Sequence, residues 1–381
     1  MKKILAVFGT RPEIVKMYPV IEALKASEFS CQVLNTAQHR EMVDMFMQTF
    51  GISPDIDLNL MQERQSLAGL SARIMEHISP VLEAQQPDMV LVQGDTTTVM
   101  ITALAAAYHK IPVGHVEAGL RTPEFYDPFP EEINRRLTGQ LASLHFAPTQ
   151  TAEQALLREG VDPTKIFCTG NTVIDALLKT HQRFPDYNYP AELGIPSSAP
   201  IILVTAHRRE NWGKPLEQIC QSLLQLTDQV PDLHIVLPVH KNPVVRETVF
   251  PLLKPQARIH LTEPLDYVPL MDVMRRCQLV LTDSGGLQEE APALGKPVLV
   301  MRLTTERPEG IAAGTACLVG TDPAAIVPQV LKLLQEPAAY GAMSRAINPY
   351  GDGHAAGRIV QALRWHFGLS TEAPEVFHAR A

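Results

Sequence analysis

Cysteine is scarce and unpaired. The 381 residues contain five (Cys31, Cys168, Cys220, Cys277 and Cys317), an odd number, far apart and without a Cys-x-x-Cys pair. That excludes a disulfide framework and a structural zinc site and predicts buried thiols in a reducing compartment. Basic side chains are outnumbered, 33 against 41 acidic, for a net charge of −8. A general nucleic-acid binder is excluded, because neutralising phosphates needs a basic face. Long apolar runs are missing as well. The longest, Val99 to Tyr108, is about half a membrane span and contains Thr102. Behind Lys2 and Lys3 the apolar run Ile4–Phe8 stops at Gly9-Thr10-Arg11, too short for a signal sequence. A soluble cytoplasmic protein without a membrane partner is expected. Neither Gly-x-x-x-x-Gly-Lys-Ser/Thr nor Gly-x-Gly-x-x-Gly occurs, and no metal-ligand cluster is evident, so the expectation is no P-loop, no dinucleotide fingerprint and no metal.

What is present is ample apolar material, 45% of the chain against 19% charged, which rules out disorder. The length suits two domains of roughly 150–200 residues. Short runs of Val, Ile and Leu alternate with segments of helical period. Strands are predicted at Ile4–Phe8, Gln32–Thr36, Met89–Gln93, Val113–Val116, Leu144–Ala147 and Ile166–Thr169. A second series follows at Ile201–Thr205, His234–Pro238, Arg258–Leu261, Leu279–Thr282, Pro297–Met301 and Ala316–Val319. Continuous apolar strands separated by helices imply parallel sheets covered on both faces. The fold class is therefore α/β, with two doubly wound Rossmann-like domains facing a cleft. Residues 1–170 are predicted to form the first domain and 171–353 the second. Pro185, Pro190, Pro196 and Pro200 predict a linker between about Arg183 and Pro200. A helix over 354–368, after the turn Asn348-Pro349-Tyr350-Gly351-Asp352-Gly353, is predicted to cross back to the first domain.

In open parallel sheets, ligands bind beyond the carboxyl ends of the strands. Ile4–Phe8 runs into Gly9-Thr10-Arg11-Pro12-Glu13, with Lys16 one turn further on. Pro12 suits a first helical position, and a helix N-terminus beside Arg11 and Lys16 is an anion site. Met89–Gln93 leads to Gly94-Asp95-Thr96-Thr97-Thr98, and Val113–Val116 leads to Glu117-Ala118-Gly119-Leu120-Arg121. Glu131 opens a helix in Pro130-Glu131-Glu132. Asp95 alone could cap the helix that begins with the threonines, and Glu131 alone could serve a helix dipole. Three carboxylates on one rim favour proton transfer instead, since such a cluster supplies both an acid and a base.

The second half mirrors this arrangement. Ile201–Thr205 leads to His207-Arg208-Arg209, a triplet suited to an anionic ligand. Leu279–Thr282 leads to Asp283-Ser284-Gly285-Gly286, whose amides at a helix start form a phosphate nest. Glu290, one turn deeper, suits ribose hydroxyls, and Arg302 and Arg307 add cations. Phosphate amides with a ribose carboxylate imply a nucleoside diphosphate bound without metal, its charge met by arginine and lysine.

The ordered set of these segments resembles the non-hydrolysing UDP-N-acetylglucosamine 2-epimerases, bacterial enzymes with a fold similar to the GT-B glycosyltransferases. The resemblance runs from Phe8-Gly9-Thr10-Arg11-Pro12-Glu13 through Thr36-Ala37-Gln38-His39-Arg40 and Gly170-Asn171-Thr172 to Thr305-Glu306-Arg307-Pro308-Glu309. It implies reversible conversion of UDP-GlcNAc to UDP-ManNAc, without cofactor, by elimination of UDP to a 2-acetamidoglucal and re-addition. Asp95, Glu117 and Glu131 then transfer protons, with His207 in the catalytic set. Arg11, Lys16 and His207 hold the diphosphate or sugar; Ser284, Gly285 and Gly286 hold phosphate; Glu290 holds ribose; and Arg307 completes the cations. Gln38, His39 and Arg64 match positions where some relatives bind a second UDP-GlcNAc as activator. The resemblance also implies a homodimer and a supply of ManNAc units for cell-surface polysaccharide.

Overall fold

The apolar runs that lack polar alternation become the inner strands of two parallel sheets, because a strand covered on both faces has no solvent side to keep polar. The computed structural model describes residues 1–38, 40–62 and 65–379. The chain divides into two units, Met1–Ala176 with Tyr350–His378, and Leu177–Pro349. The first contains β1 (Lys3–Phe8), β2 (Ser30–Asn35), β3 (Ile56–Asp57), β4 (Met89–Gln93), β5 (Val113–Val116), β6 (Leu144–Ala147) and β7 (Ile166–Cys168). They stand in the order β3-β2-β1-β4-β5-β6-β7, all pairs parallel. The second unit contains β8 (Ile201–Thr205), β9 (His234–Pro238), β10 (Ile259–Thr262), β11 (Leu279–Thr282), β12 (Val298–Val300) and β13 (Ala316–Leu318). Their order, β10-β9-β8-β11-β12-β13, repeats the same winding. In each sheet the strand order reverses once, between β1 and β4 and between β8 and β11. In a doubly wound sheet that reversal opens a crevice at the carboxyl ends.

Ile4–Phe8 and Met89–Val92 are essentially inaccessible, with Leu5, Val7, Val90 and Val92 packed against Ile74, Ile78 and Ala103. In the second unit Ile202, Val204, Ile235 and Leu281 pack against Leu223, Leu226 and Val330. Among the described residues no helix is long and apolar enough to cross a membrane. The five cysteines are all free; Cys168, Cys220 and Cys277 are buried, and burial raises each of these thiols to about 12.

Two features depart from the expected organisation. β3 is two residues long, too short to carry a pattern. The proline-rich stretch 183–200 holds a helix, Tyr189–Glu192, capped by Asn188. Pro190 sits in its first turn, where a missing N–H costs no intrahelical bond. The chain changes unit inside the continuous helix Thr172–Arg183, not in that stretch.

The terminal helix Ala355–His366 packs on the helix Arg11–Lys25 of the first unit. Its start is held by buried Asp175, which accepts the N–H of Ala355 at 3.2 Å and of Ala356 at 2.9 Å. Burial pushes the Asp175 carboxyl up to about 6 in spite of those bonds. Folding therefore takes up a proton between about pH 4, where an unfolded aspartate titrates, and the folded value. The contribution of Asp175 is full below that window and lost as the pH rises through it. The Tm of Asp175→Asn relative to the parent should accordingly improve between about pH 4 and pH 7. A Tm difference that stays flat with pH would refute this.

Candidate active site

In the first unit, the turn after β1 is closed by its own helix. The buried Glu13 carboxylate accepts the N–H groups of Gly9 and Thr10, each at 2.7 Å, and the Thr96 hydroxyl at 2.5 Å. Burial raises this carboxyl against those three donors. At this N-terminus Glu13 occupies the amides of Gly9 and Thr10, so the anion site expected beside Arg11 and Lys16 rests on the cations rather than on those two amides. The cations remain, Arg11 as the first helical residue and Lys16 one turn later.

Lys16 Nζ lies 2.5 Å from Glu117 Oε1, an atom that also accepts Asn171 Nδ2 at 3.0 Å. Gln93 Nε2 donates to the other carboxylate oxygen. Glu117 is buried and follows β5 at a φ of 62°. That left-handed conformation costs a side-chain-bearing residue on the order of 1–3 kcal/mol. It aims the carboxylate back across the rim, where a lysine and two amides converge on it.

Asp95 follows β4, and Thr96 rather than Asp95 caps the helix Thr97–Tyr108. The Asp95 carboxylate is left to accept Arg135 at 2.6 Å, while Asn134 Nδ2 bonds its carbonyl at 2.9 Å. Both partners come from the helix Glu131–Leu141. Burial raises the Asp95 carboxyl; Arg135 and Lys16 oppose the rise and the Glu117 charge adds to it. His115, held neutral by burial that takes it down to about 3, donates Nε2–H to the Gly94 carbonyl at 2.7 Å. Glu131 is the first residue of its helix and is half-buried; among the described residues no group bonds its carboxylate. Its neighbour Glu132, fully buried, accepts Arg136 at 2.6 Å and the Thr122 N–H at 3.1 Å and so fixes the start of that helix.

In the second unit, Ser284 begins the helix Gly285–Ala293 without capping it by its side chain, so the first amides stay available. An alanine Cβ at Gly285 would lie 3.9 Å from both the Arg208 and the Arg307 guanidinium groups, which places two cations at this N-terminus. Glu306 stands 3.4 Å from Arg208 and from Arg302. Burial works to raise Glu306, but Arg208, Arg302 and Arg307 outweigh it and hold it below the usual range. Arg307 also pairs with buried Glu289, and Arg302 with Glu210 at 2.6 Å. Glu290 is buried, with the Tyr267 hydroxyl 3.4 Å from its carboxylate. His207 Nδ1 lies 2.8 Å from Asp283, at the ends of neighbouring strands β8 and β11.

The first unit thus gathers Lys16, Asp95 and Glu117 into one electrostatic cluster, with Arg11 and Glu131 at the starts of helices on the same unit. The second gathers His207, Ser284, Gly285, Gly286 and Arg307, with Glu290 one turn deeper. Gln38 accepts the Thr98 hydroxyl at 2.9 Å beside the β1 end; His39 and Arg64 lie outside the described residues. Sequence reasoning assigned no role to Gln93, Asn171, Arg135, Glu13 or Asp283. Gln93 ends β4 and Asn171 follows β7, so the strand-end rule that selected Asp95 applied to both. Among the described residues no group of three or more His, Cys, Asp or Glu side chains could hold a metal ion.

Two doubly wound parallel sheets, with charged side chains beyond their carboxyl ends, define a GT-B-like α/β protein. A family model described as UDP-N-acetylglucosamine 2-epimerase matches residues 22–364. The UDP-N-acetylglucosamine 2-epimerase of Escherichia coli K12 is 52% identical over 372 residues, covering 95% of this chain and 98% of its own length. The crystal structure of the Neisseria meningitidis UDP-GlcNAc 2-epimerase bound to UDP-GlcNAc is similar at 46% identity and a TM-score of 0.87, over 95% of this chain and 99% of that one. The Staphylococcus aureus MnaA–UDP co-structure is similar at 44% identity and a TM-score of 0.90, over 99% and 100%. The chain belongs to the UDP-N-acetylglucosamine 2-epimerase family, and it is an isomerase-type enzyme.

Proposed function

We propose that the chain interconverts UDP-GlcNAc and UDP-ManNAc without a redox cofactor or metal, by elimination and re-addition of UDP. Carbon 2 of the sugar is not next to a carbonyl, so deprotonation alone would leave an unstabilised carbanion. Coupling it to departure of UDP avoids that species. A base takes the proton from carbon 2, the carbon–hydrogen electron pair becomes the C1=C2 bond of a 2-acetamidoglucal, and the C1–O pair leaves with the diphosphate. In the return step a diphosphate oxygen attacks carbon 1 and carbon 2 takes a proton on its other face.

The observation that carries this reading is the unequal treatment of neighbouring carboxylates. Glu117 receives Lys16, Gln93 and Asn171, donors that favour its ionised form, which suits the base. Asp95 is raised by burial and by the Glu117 charge, which suits a proton donor. Glu131 is a third proton carrier. Arg11 and Lys16 contact sugar or diphosphate. In the second unit Ser284, Gly285, Gly286, His207 and Arg307 take the diphosphate and Glu290 the ribose. The enzyme works as a homodimer and supplies ManNAc units for cell-surface polysaccharide. Gln38, His39 and Arg64 hold a second UDP-GlcNAc as activator, which predicts a sigmoidal rate against UDP-GlcNAc.

Proton NMR with UDP-GlcNAc in deuterated water, without nicotinamide or metal, tests the reaction. UDP-ManNAc carrying deuterium at carbon 2 is expected. Free ManNAc with UDP would instead mean a hydrolysing enzyme, and UDP-ManNAc that keeps its original hydrogen would rule out solvent-exchanging acid–base chemistry.

A further inference from the structure

Asp283 lies at the end of β11, is wholly inaccessible to solvent, and has no role in the reaction as proposed above. Its Oδ2 accepts the N–H groups of His207 and Arg208, each at 2.9 Å, and Asn211 Nδ2 at 3.0 Å. Those three donors account for its structural duty, the closing of the turn after β8. They leave Oδ1, a buried oxygen with no aligned hydrogen bond of its own, which stands 2.8 Å from His207 Nδ1. An ionised carboxylate can only accept, and a bare ring nitrogen at that distance would repel it, so the contact favours the ring hydrogen on Nδ1, from which a small rotation of the ring completes the bond. Burial works to raise the Asp283 carboxyl, but the His207 ring and the amides of Arg208 and His207 outweigh it and hold it below the ordinary range. The acceptor therefore stays ionised at neutral pH.

We infer that Asp283 is a positioning residue that fixes the tautomer and direction of His207 and presents its Nε2 to the anion site at the Gly285–Ala293 helix. With Nδ1 committed to Asp283, Nε2 is the ring's only atom for a ligand. The turn that Asp283 closes also sets Arg208, whose guanidinium reaches the start of that same helix. One buried carboxylate thus orders two of the groups that meet a diphosphate. A second-sphere carboxylate on a histidine acts in this way on ring orientation and basicity. The inference rests on the proposed role of His207 in holding the diphosphate.

Three readouts test it. In ¹⁵N spectra of the whole protein, the His207 ring should show hydrogen on Nδ1. Asp283→Asn can turn its amide toward the ring, and the hydrogen should then move to Nε2. Turnover of Asp283→Asn should fall by about 10- to 100-fold, with a far smaller change in KM for UDP-GlcNAc. In a His207→Ala background the same substitution should cost little further, because the asparagine oxygen still accepts the amides that close the turn and set Arg208, and the remaining effect passes through the ring. An Nε2–H tautomer in the parent protein, or a full independent loss in the His207→Ala background, would reduce Asp283 to a structural residue. The parent spectrum needs no variant, so it decides the question even if Asp283→Asn folds poorly. It also does not depend on turnover: failure of the parent to epimerise UDP-GlcNAc would sink the proposed reaction and leave the tautomer result standing.

Discussion

Glu117→Gln is expected to lower turnover by ~10²–10⁴-fold, the range spanned by loss of a positioned general base, while UDP binding persists. The amide keeps the shape of the side chain and removes the negative charge that Lys16, Gln93 and Asn171 converge on. Two electrostatic effects should accompany the loss of turnover. The carboxyl of Asp95 loses a charge that now pushes it upward, so whichever limb of the pH–rate profile reports Asp95 should move to lower pH. Lys16 loses its ion partner, so UDP affinity should hold steady or rise. Glu117→Asp keeps the charge but retracts it by one methylene from a lysine contact of 2.5 Å, and it should fall between the parent and the glutamine variant. Single-turnover kinetics with UDP-GlcNAc, beside calorimetric titration with UDP, would separate these outcomes. Unchanged turnover in Glu117→Gln would remove Glu117 from the chemistry.

Much of this site was legible in the sequence, for a definite reason. Strands such as β1 and β4 are covered on both faces and therefore carry no polar residue until they end, so the first polar residues beyond them mark the rim. Asp95, Glu117, His207 and Ser284 were found in that way. What the rule does not give is the pairing. Glu117 collects donors from a helix at Lys16, from the end of β4 at Gln93 and from beyond β7 at Asn171, and only the fold brings those segments together. Arg135, which bonds Asp95, comes from a helix forty positions further along. The two helix N-termini show a different kind of miss. Thr10-Arg11-Pro12-Glu13 contains the Thr-x-x-Glu spacing of a capping box, and Glu13 does occupy the amides of Gly9 and Thr10. Ser284-Gly285-Gly286-Leu287 lacks an acidic or amide residue at the third helical position, and its side chain leaves the helix start open. Read for that spacing, the sequence separates the closed terminus from the open one.

Gly9→Ala carries a large expected cost to stability, and the reason is room rather than backbone conformation. Gly9 is absent from the positions at positive φ, so an alanine there meets no backbone strain. A Cβ built on it, however, would come within 2.0 Å of Thr36 Oγ1 and 2.7 Å of Thr98 Oγ1. Neither hydroxyl belongs to a long side chain that can swing aside. They lie 3.0 Å apart in a buried hydrogen bond, and Thr98 passes on to Gln38 at 2.9 Å. Admitting the methyl means breaking that chain or moving the end of β1 away from the helix Thr97–Tyr108. Overpacking of this kind costs about 1–3 kcal/mol, and leaving a buried hydroxyl unpaired adds a similar amount. The expected result is a fall in Tm of roughly 5–15 °C, together with a loss of turnover, since the displaced segment also carries the Gly9 and Thr10 amides that hold Glu13. Removing the obstruction should restore part of what is lost. Gly9→Ala combined with Thr36→Ala vacates the closest contact, so the pair should be more stable than the sum of the two single changes by about 1 kcal/mol or more. Denaturant unfolding of the four proteins measures that coupling, and strict additivity would mean that the contact with Thr36 is not what limits the position.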